Sequence, residues 1–136
     1  MSLTTYRDDL DFTIDDVLPI YRACDWSSAT KPDALLAALR ASHSVISAYV
    51  GHRMVGIGNA ISDGHLVVYY PHLLVHPDFT RTGIGTGILT RLTDRYNGFH
   101  QQMLTADADA VPFYERCGFS RAGRTVSMWV YDGNDH

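Results

Sequence analysis

The chain has one lysine, Lys31, one glutamate, Glu115, and two cysteines among 136 residues. So little lysine leaves no basic tract, and the formal net charge is −4. A general nucleic-acid binder needs clustered cations to neutralise phosphates, so that class is excluded. Cys24 and Cys117 can pair only once and stand in no Cys-x-x-Cys or Cys/His ligand spacing, which predicts reduced, partly buried thiols. No His/Asp/Glu spacing reads as a metal site either. Long apolar runs are missing as well: nothing approaches the roughly eighteen residues of a membrane span. The opening MSLTTYRDDLDF lacks the basic and apolar regions of a signal peptide. A soluble, cytoplasmic protein is expected.

What is present is a chain with 46% hydrophobic residues, enough for the core of one globular domain over 1–136. Thr4 to Arg7 reads as a short first strand. Thr13-Ile-Asp-Asp16 resembles a helix N-cap, and Ile14, Val17, Leu18 and Tyr21 keep helical spacing after it. A loop through Trp26, Ser27 and Ser28 leads to Pro32 and a second helix with Leu35, Leu36 and Leu39 on its apolar face. Ser44 to Val50 and Met54 to Ile61 read as paired strands around Gly51-His52, with Gly56 and Gly58 allowing a close approach. His65 to Val75 is the next strand, in which Pro71 implies a bulge, an edge or a break. A helix from about Gly83 turns Ile84, Ile88, Leu89 and Leu92 inward, Gln101 to Ala106 is a fifth strand, and Ala108 to Arg116 a short helix. Two last strands are expected near Phe119 to Ala122 and Thr125 to Tyr131. The fold class is therefore α/β, a mixed sheet with helices on both faces, in the order β-α-α-β-β-β-α-β-α-β-β.

The chain is organised around Leu73 to Tyr96, where an apolar strand ends, a loop passes Pro77, and a glycine-rich turn opens a helix. Gly83 and Gly85 lack Cβ atoms, so a bulky ligand can approach the backbone while the first helical amides remain free to donate. Such a turn suits a phosphate or pyrophosphate. Two common phosphate binders do not fit. A dinucleotide fingerprint needs Gly-x-Gly-x-x-Gly with an acid about twenty positions on, whereas here the third glycine is Gly87 and the nearest downstream acid Asp94. A Walker loop needs Gly-Lys-Ser/Thr, which does not occur.

Two spaced motifs resemble those of the GCN5-related N-acetyltransferase (GNAT) family. Its acetyl-CoA motif, a strand ending Leu-x-Val, then Pro, then Gln/Arg-x-x-Gly-x-Gly/Ala, stands as Leu73-Leu74-Val75, Pro77 and Thr80-Arg81-Thr82-Gly83-Ile84-Gly85. Its second motif, Ala-x-x-Phe-Tyr-x-x-x-Gly-Phe, stands as Ala110 to Phe119 and contains Phe113, Tyr114 and Gly118. Thr80 departs from the family's Gln or Arg, and Asp107 from a frequent Asn. With Thr80 in that position, the pyrophosphate seat rests on the amides from Arg81 to Thr86, with Arg81 adding a positive charge.

The resemblance implies an acetyl-CoA-dependent N-acetyltransferase in which Leu73, Leu74 and Val75 pair with the pantetheine arm as another strand would. Arg81, Thr82, Gly83, Ile84, Gly85 and Thr86 would then hold the pyrophosphate. An amine attacks the thioester directly, a backbone N–H near Leu73 or Leu74 steadies the oxyanion, and Tyr114 protonates the departing thiolate. His72 is the candidate base, with His65 and His76 as weaker alternatives, while Glu115 is expected to face solvent. Trp26, Tyr69 and Tyr70 are expected to line the acceptor pocket, and Asp25 or another early acid to attract an ammonium. The ending Ser127 to Tyr131 and the stretch Ile57 to Asp63 look similar to the arylalkylamine branch, which implies a small amine acceptor. Acetylation of a protein N-terminus or lysine and a non-catalytic acyl-CoA-binding module are the alternatives. Relatives often dimerise, so a homodimer is possible.

Overall fold

The computed structural model describes residues 3–134. Strand β1, Thr4–Arg7, is followed by helices α1, Ile14–Ala23, and α2, Pro32–Ala41. The antiparallel strands β2, Ser44–Val50, and β3, Arg53–Ser62, form the centre of the sheet. Short strands β4, Val67–Tyr69, and β5, Leu73–Val75, lead into helix α3, Ile84–Asp94. Strand β6, Gln101–Met103, and helix α4, Val111–Arg116, complete the regular elements.

Local chemistry explains the helix starts. Thr13 caps α1 in a capping box, its backbone N–H donating to the Asp16 carboxylate at 2.8 Å. That satisfies donors no helical carbonyl can reach. Pro32 opens α2, where a missing N–H costs nothing.

The sheet runs β1-β2-β3-β4-β6, and β5 pairs β3 off that path. One edge of β3 thus serves two partners: Gly56, Ile57 and Gly58 face Val75, Leu74 and Leu73, while Ile61 and Ser62 face Tyr69 and Val68. The expected single strand from His65 to Val75 is broken around Pro71, which has no N–H to give a ladder. β4 follows β6 in parallel, ending where the Tyr70 N–H donates to the Met103 carbonyl at 3.0 Å. Beyond that point β5 stays with β3, and among the described residues its other edge has no strand partner.

Side chains alternate across the sheet, so each face has its own core. On one face Val17, Ile20, Tyr21, Leu35 and Leu39 of α1 and α2 pack with Val45, Tyr49, Ile57 and Leu74. On the other, Ile84, Ile88 and Leu92 of α3 pack with Ile46, Ala48, Val55 and Tyr70. Gly56 and Gly58 admit α3 closely: a Cβ at Gly58 would lie 2.8 Å from Ile88 Cγ2.

The two last expected strands do not form among the described residues. After α4 the described residues form no strand, and residues 120–132 are exposed. A strand exists only against a partner, however strongly its residues favour extension. Ser120 to Arg124 is polar and turns at Gly123, φ +65°, which carries Thr125 to Tyr131 off the sheet.

Candidate active site

The break at Pro71 shapes the site. The buried Asn59 bridges it, its N–H donating to the His72 carbonyl at 3.1 Å and its Oδ1 accepting the His72 N–H at 3.1 Å. Its amide group in turn donates to Ser42 Oγ at 2.9 Å. One side chain therefore supplies the acceptor that the interrupted ladder lacks, in keeping with the rule that buried polar groups are paired. Sequence reasoning passed over Asn59, whose signal is a single amide inside the apolar run Val55 to Ile61.

Alternate residues of a strand present their backbone groups to the same edge. The His72 carbonyl and the His76 N–H both bond β3, so Leu74 shares that edge, while Leu73 and Val75 direct theirs to the open one. The Val75 carbonyl accepts the Cys24 thiol at 3.4 Å. This leaves the Leu73 N–H and C=O and the Val75 N–H facing the gap, and it favours Leu73 over Leu74 as an outward donor.

At the glycine turn, Arg81 and Gly83 have φ of 63° and 84°. The left-handed step at Gly83 aims the chain into α3 as its N-cap. The first helical bond is Gly87 N–H to Gly83 C=O at 2.9 Å, so the amides of Ile84, Gly85 and Thr86 precede the ladder. Ile84 is buried and anchors the turn, whereas Arg81, Thr82, Gly83 and Thr86 are exposed. A Cβ at Gly85 would meet Phe113 of α4 at 3.3 Å, so this glycine lets α4 close against the turn. Thr80 uses its hydroxyl on the Pro77 carbonyl at 3.1 Å and completes the bend before the turn. These residues fit an anionic, elongated ligand: free amides at a helix start beside an unpaired strand edge.

Tyr114 lies on α4 against Phe113 and Phe119, ring centroids 5.1 and 6.1 Å away. It lines a cavity of about 570 Å³ along β6. Burial, then the negative field of Asp107, then Cys117 push its phenol up to about 12. The hydroxyl therefore stays protonated at neutral pH and can serve as an acid.

His72 lines a second cavity of about 430 Å³, together with Trp26, Tyr69, Thr105, Trp129 and Tyr131. Its Nδ1 lies 2.7 Å from the Tyr21 hydroxyl, and its ring meets Trp26 edge-on at 5.0 Å. Burial, and secondarily Cys24, raise the Tyr21 phenol well above its ordinary range, so Tyr21 holds the imidazole as a neutral partner. Tyr21 looked like a core residue by its spacing; its hydroxyl is legible only in three dimensions.

Tyr114 and His72 thus line separate cavities, which share Thr105. At that junction the hydroxyls of Tyr69 and Thr105 lie 3.4 Å apart, just past the end of the β4–β6 pairing. Several expectations need correction. Tyr70 lies in the α3-side core with its hydroxyl on Gln102 at 2.6 Å, and it does not line the cavity beside His72. Asp25 is exposed, and neither it nor any other early acid belongs to that lining. His65 lies in an exposed turn and His76 beside Asp78, and neither lines either cavity.

Comparison with known proteins identifies the class. The acetyltransferase (GNAT) domain family matches residues 15–129, and the chain belongs to that family. It is an N-acetyltransferase by family, and the family's acyl donor is acetyl-CoA. No curated protein matches significantly. Among solved structures, a GNAT-family acetyltransferase from Streptococcus pneumoniae is 25% identical, with TM-score 0.84 over 96% of this chain and 100% of its own. An acetyltransferase from Deinococcus radiodurans is also 25% identical, with TM-score 0.82 over 95% of this chain and 88% of its own. An aminoglycoside N-acetyltransferase in complex with CoA is 12% identical and shares the fold, with TM-score 0.72 over 96% of each chain.

Proposed function

We propose that the chain, working as a single domain, transfers the acetyl group of acetyl-CoA to a small primary amine of arylalkylamine type. The observation that supports this reading best is the parting of β5 from β6, with an unpaired strand edge and His72 on one side and Tyr114 beside β6 on the other. A cavity of about 430 Å³ is the size of a small-molecule site. Acetylation of a small amino-bearing molecule also matches what the aminoglycoside N-acetyltransferase, which shares the fold, does by name.

Leu73 and Val75 take the pantetheine arm along the open edge of β5, and the amides of Ile84, Gly85 and Thr86 take the pyrophosphate, with Arg81 beside them. Acetyl-CoA supplies a thioester carbon activated toward amines. His72 accepts a proton from the ammonium; in the tautomer that leaves Nε2 its lone pair, Nδ1–H donates to the Tyr21 oxygen. The amine nitrogen then bonds the acetyl carbon, and the Leu73 N–H donates to the acyl oxygen as charge collects there. Tyr114 gives the sulfur its proton as the carbon–sulfur bond breaks, and regains one from the nitrogen. The products are amide, CoA thiol and one released proton.

Two free cysteines, Cys24 and Cys117, suit a reducing compartment, and we place the protein in the cytoplasm. We also infer a homodimer, because Val126, Met128 and Val130 expose most of their apolar surface and the sheet ends on the three-residue strand β6.

The test is thiol release from acetyl-CoA over an amine panel, with CoA binding measured by calorimetry. Tyr114→Phe is expected to cut kcat about 10²-fold with little change in CoA affinity. Because the phenol titrates near 12, loss of the protonated acid should not depress kcat until pH passes the ~10 of a free tyrosine. Absence of CoA binding would overturn the whole reading, and an undiminished Tyr114→Phe would remove that residue's role.

A further inference from the structure

We infer that the acceptor is an aromatic amine carrying a carboxylate at the end remote from its nitrogen, and that Lys31 recognises that carboxylate. This assignment rests on the acceptor cavity proposed above and names what fills it. Four aromatic side chains, Trp26, Tyr69, Trp129 and Tyr131, line the cavity, which favours a flat apolar body. Among the described residues no aspartate or glutamate does, although seven of the chain's fifteen acids precede position 40. A site built to grip an ammonium by charge would place an acid there.

The charged side chain that does line it is Lys31, the only lysine in the sequence. It is exposed and makes no ion pair among the described residues, so its charge is open to a ligand in the cavity. Lys31 stands at the junction of the short turn Ser27–Thr30 and the start of α2. The same wall holds Ser28, whose Oγ is buried without a hydrogen-bond partner among the described residues. A buried hydroxyl left unpaired is costly, and a hydroxyl and an ammonium on one cavity wall are both donors that a carboxylate accepts from.

Chemistry at the nitrogen agrees. The attacking amine must be neutral, and a nearby carboxylate would hold it as ammonium by raising its pKa. Aromatic walls and the positive charge of Lys31 act in the opposite sense, so the bound amine sheds its proton more readily. The cavity thus separates two tasks: charge recognition at the remote end and deprotonation beside His72.

Trp26 and Trp129, the only tryptophans in the sequence, line the cavity, so their fluorescence reports binding without turnover. Phenylacetate and its neutral isostere phenylacetamide would be titrated against the wild type, Lys31→Met and Lys31→Arg. The wild type should bind the carboxylate about fivefold more tightly, a preference of the size an exposed charge pair provides. Lys31→Met should abolish the preference and Lys31→Arg retain it. Equal binding of the two probes by the wild type, or a preference that survives Lys31→Met, would overturn the assignment. In parallel, 4-(aminomethyl)benzoate and benzylamine would be compared as acetyl acceptors. A Lys31-dependent preference in binding with no thiol release from any amine would leave the carboxylate site standing and sink the transfer reaction instead.

Discussion

A buried tyrosine at the end of a histidine ring decides what that histidine can do. Tyr21 is fully buried and its hydroxyl meets His72 Nδ1 at 2.7 Å, which directs the other ring nitrogen away from the core. Because burial keeps Tyr21 protonated, the group facing Nδ1 is a neutral hydroxyl. His72→Gln should lower kcat roughly 10²-fold, the usual contribution of a positioned base. Tyr21→Phe should produce a smaller fall and displace the pH profile of kcat/KM, because the ring loses the partner that sets its tautomer. A Tyr21→Phe enzyme that loses stability but keeps its pH profile would show that the hydroxyl serves packing alone. His72 stands beside a break that Pro71 makes readable, while the Tyr21 contact joins residues 51 positions apart and has no sequence signal.

At the scale of elements, helix α3 and strand β3 form the platform for the glycine turn. The helix was readable from Ile84, Ile88, Leu89 and Leu92, and all four are buried. What spacing alone left open was how near the helix lies to the sheet. A Cβ at Gly58 would stand 2.8 Å from Ile88, 3.0 Å from Leu92 and 3.3 Å from the His72 carbonyl. Gly58→Ala should therefore cost about 1–3 kcal/mol, the range for overpacking a dense core. Urea unfolding measures that loss, and an unchanged midpoint would mean the helix yields freely. Since one of the three contacts is the His72 carbonyl, the same variant should also lower kcat by shifting the strand break.

At the scale of the whole molecule, the segment after α4 is the largest difference between expectation and structure. Thr125 to Tyr131 alternates and is rich in β-branched and aromatic residues, a strand pattern by composition. The chain instead leaves it off the sheet, held by the Tyr131 hydroxyl on Ser27 Oγ at 2.8 Å. Such apolar exposure is what the proposed homodimer would cover. Sedimentation equilibrium should give twice the 15.2 kDa chain mass, and a Met128→Asp, Val130→Lys double variant should give a single chain mass. A monomeric wild type would remove the dimer.

The two motifs, Leu73 to Gly85 and Ala110 to Phe119, determined the family, and hydrophobic spacing determined most elements, because both are local in the chain. The cap at Thr13, the break at Pro71 and the turn at Gly83 were likewise readable, since each follows from one residue's own backbone chemistry. Tertiary structure alone decided the rest. Asn59 bridging the break, Tyr21 orienting His72, Tyr70 moving to the opposite core and the acids staying outside the acceptor cavity all depend on which sheet face or edge a residue meets. Lys31 belongs with these: nothing local marks a lysine at a helix start as recognition, and only the fold places it among aromatic rings without a carboxylate beside it.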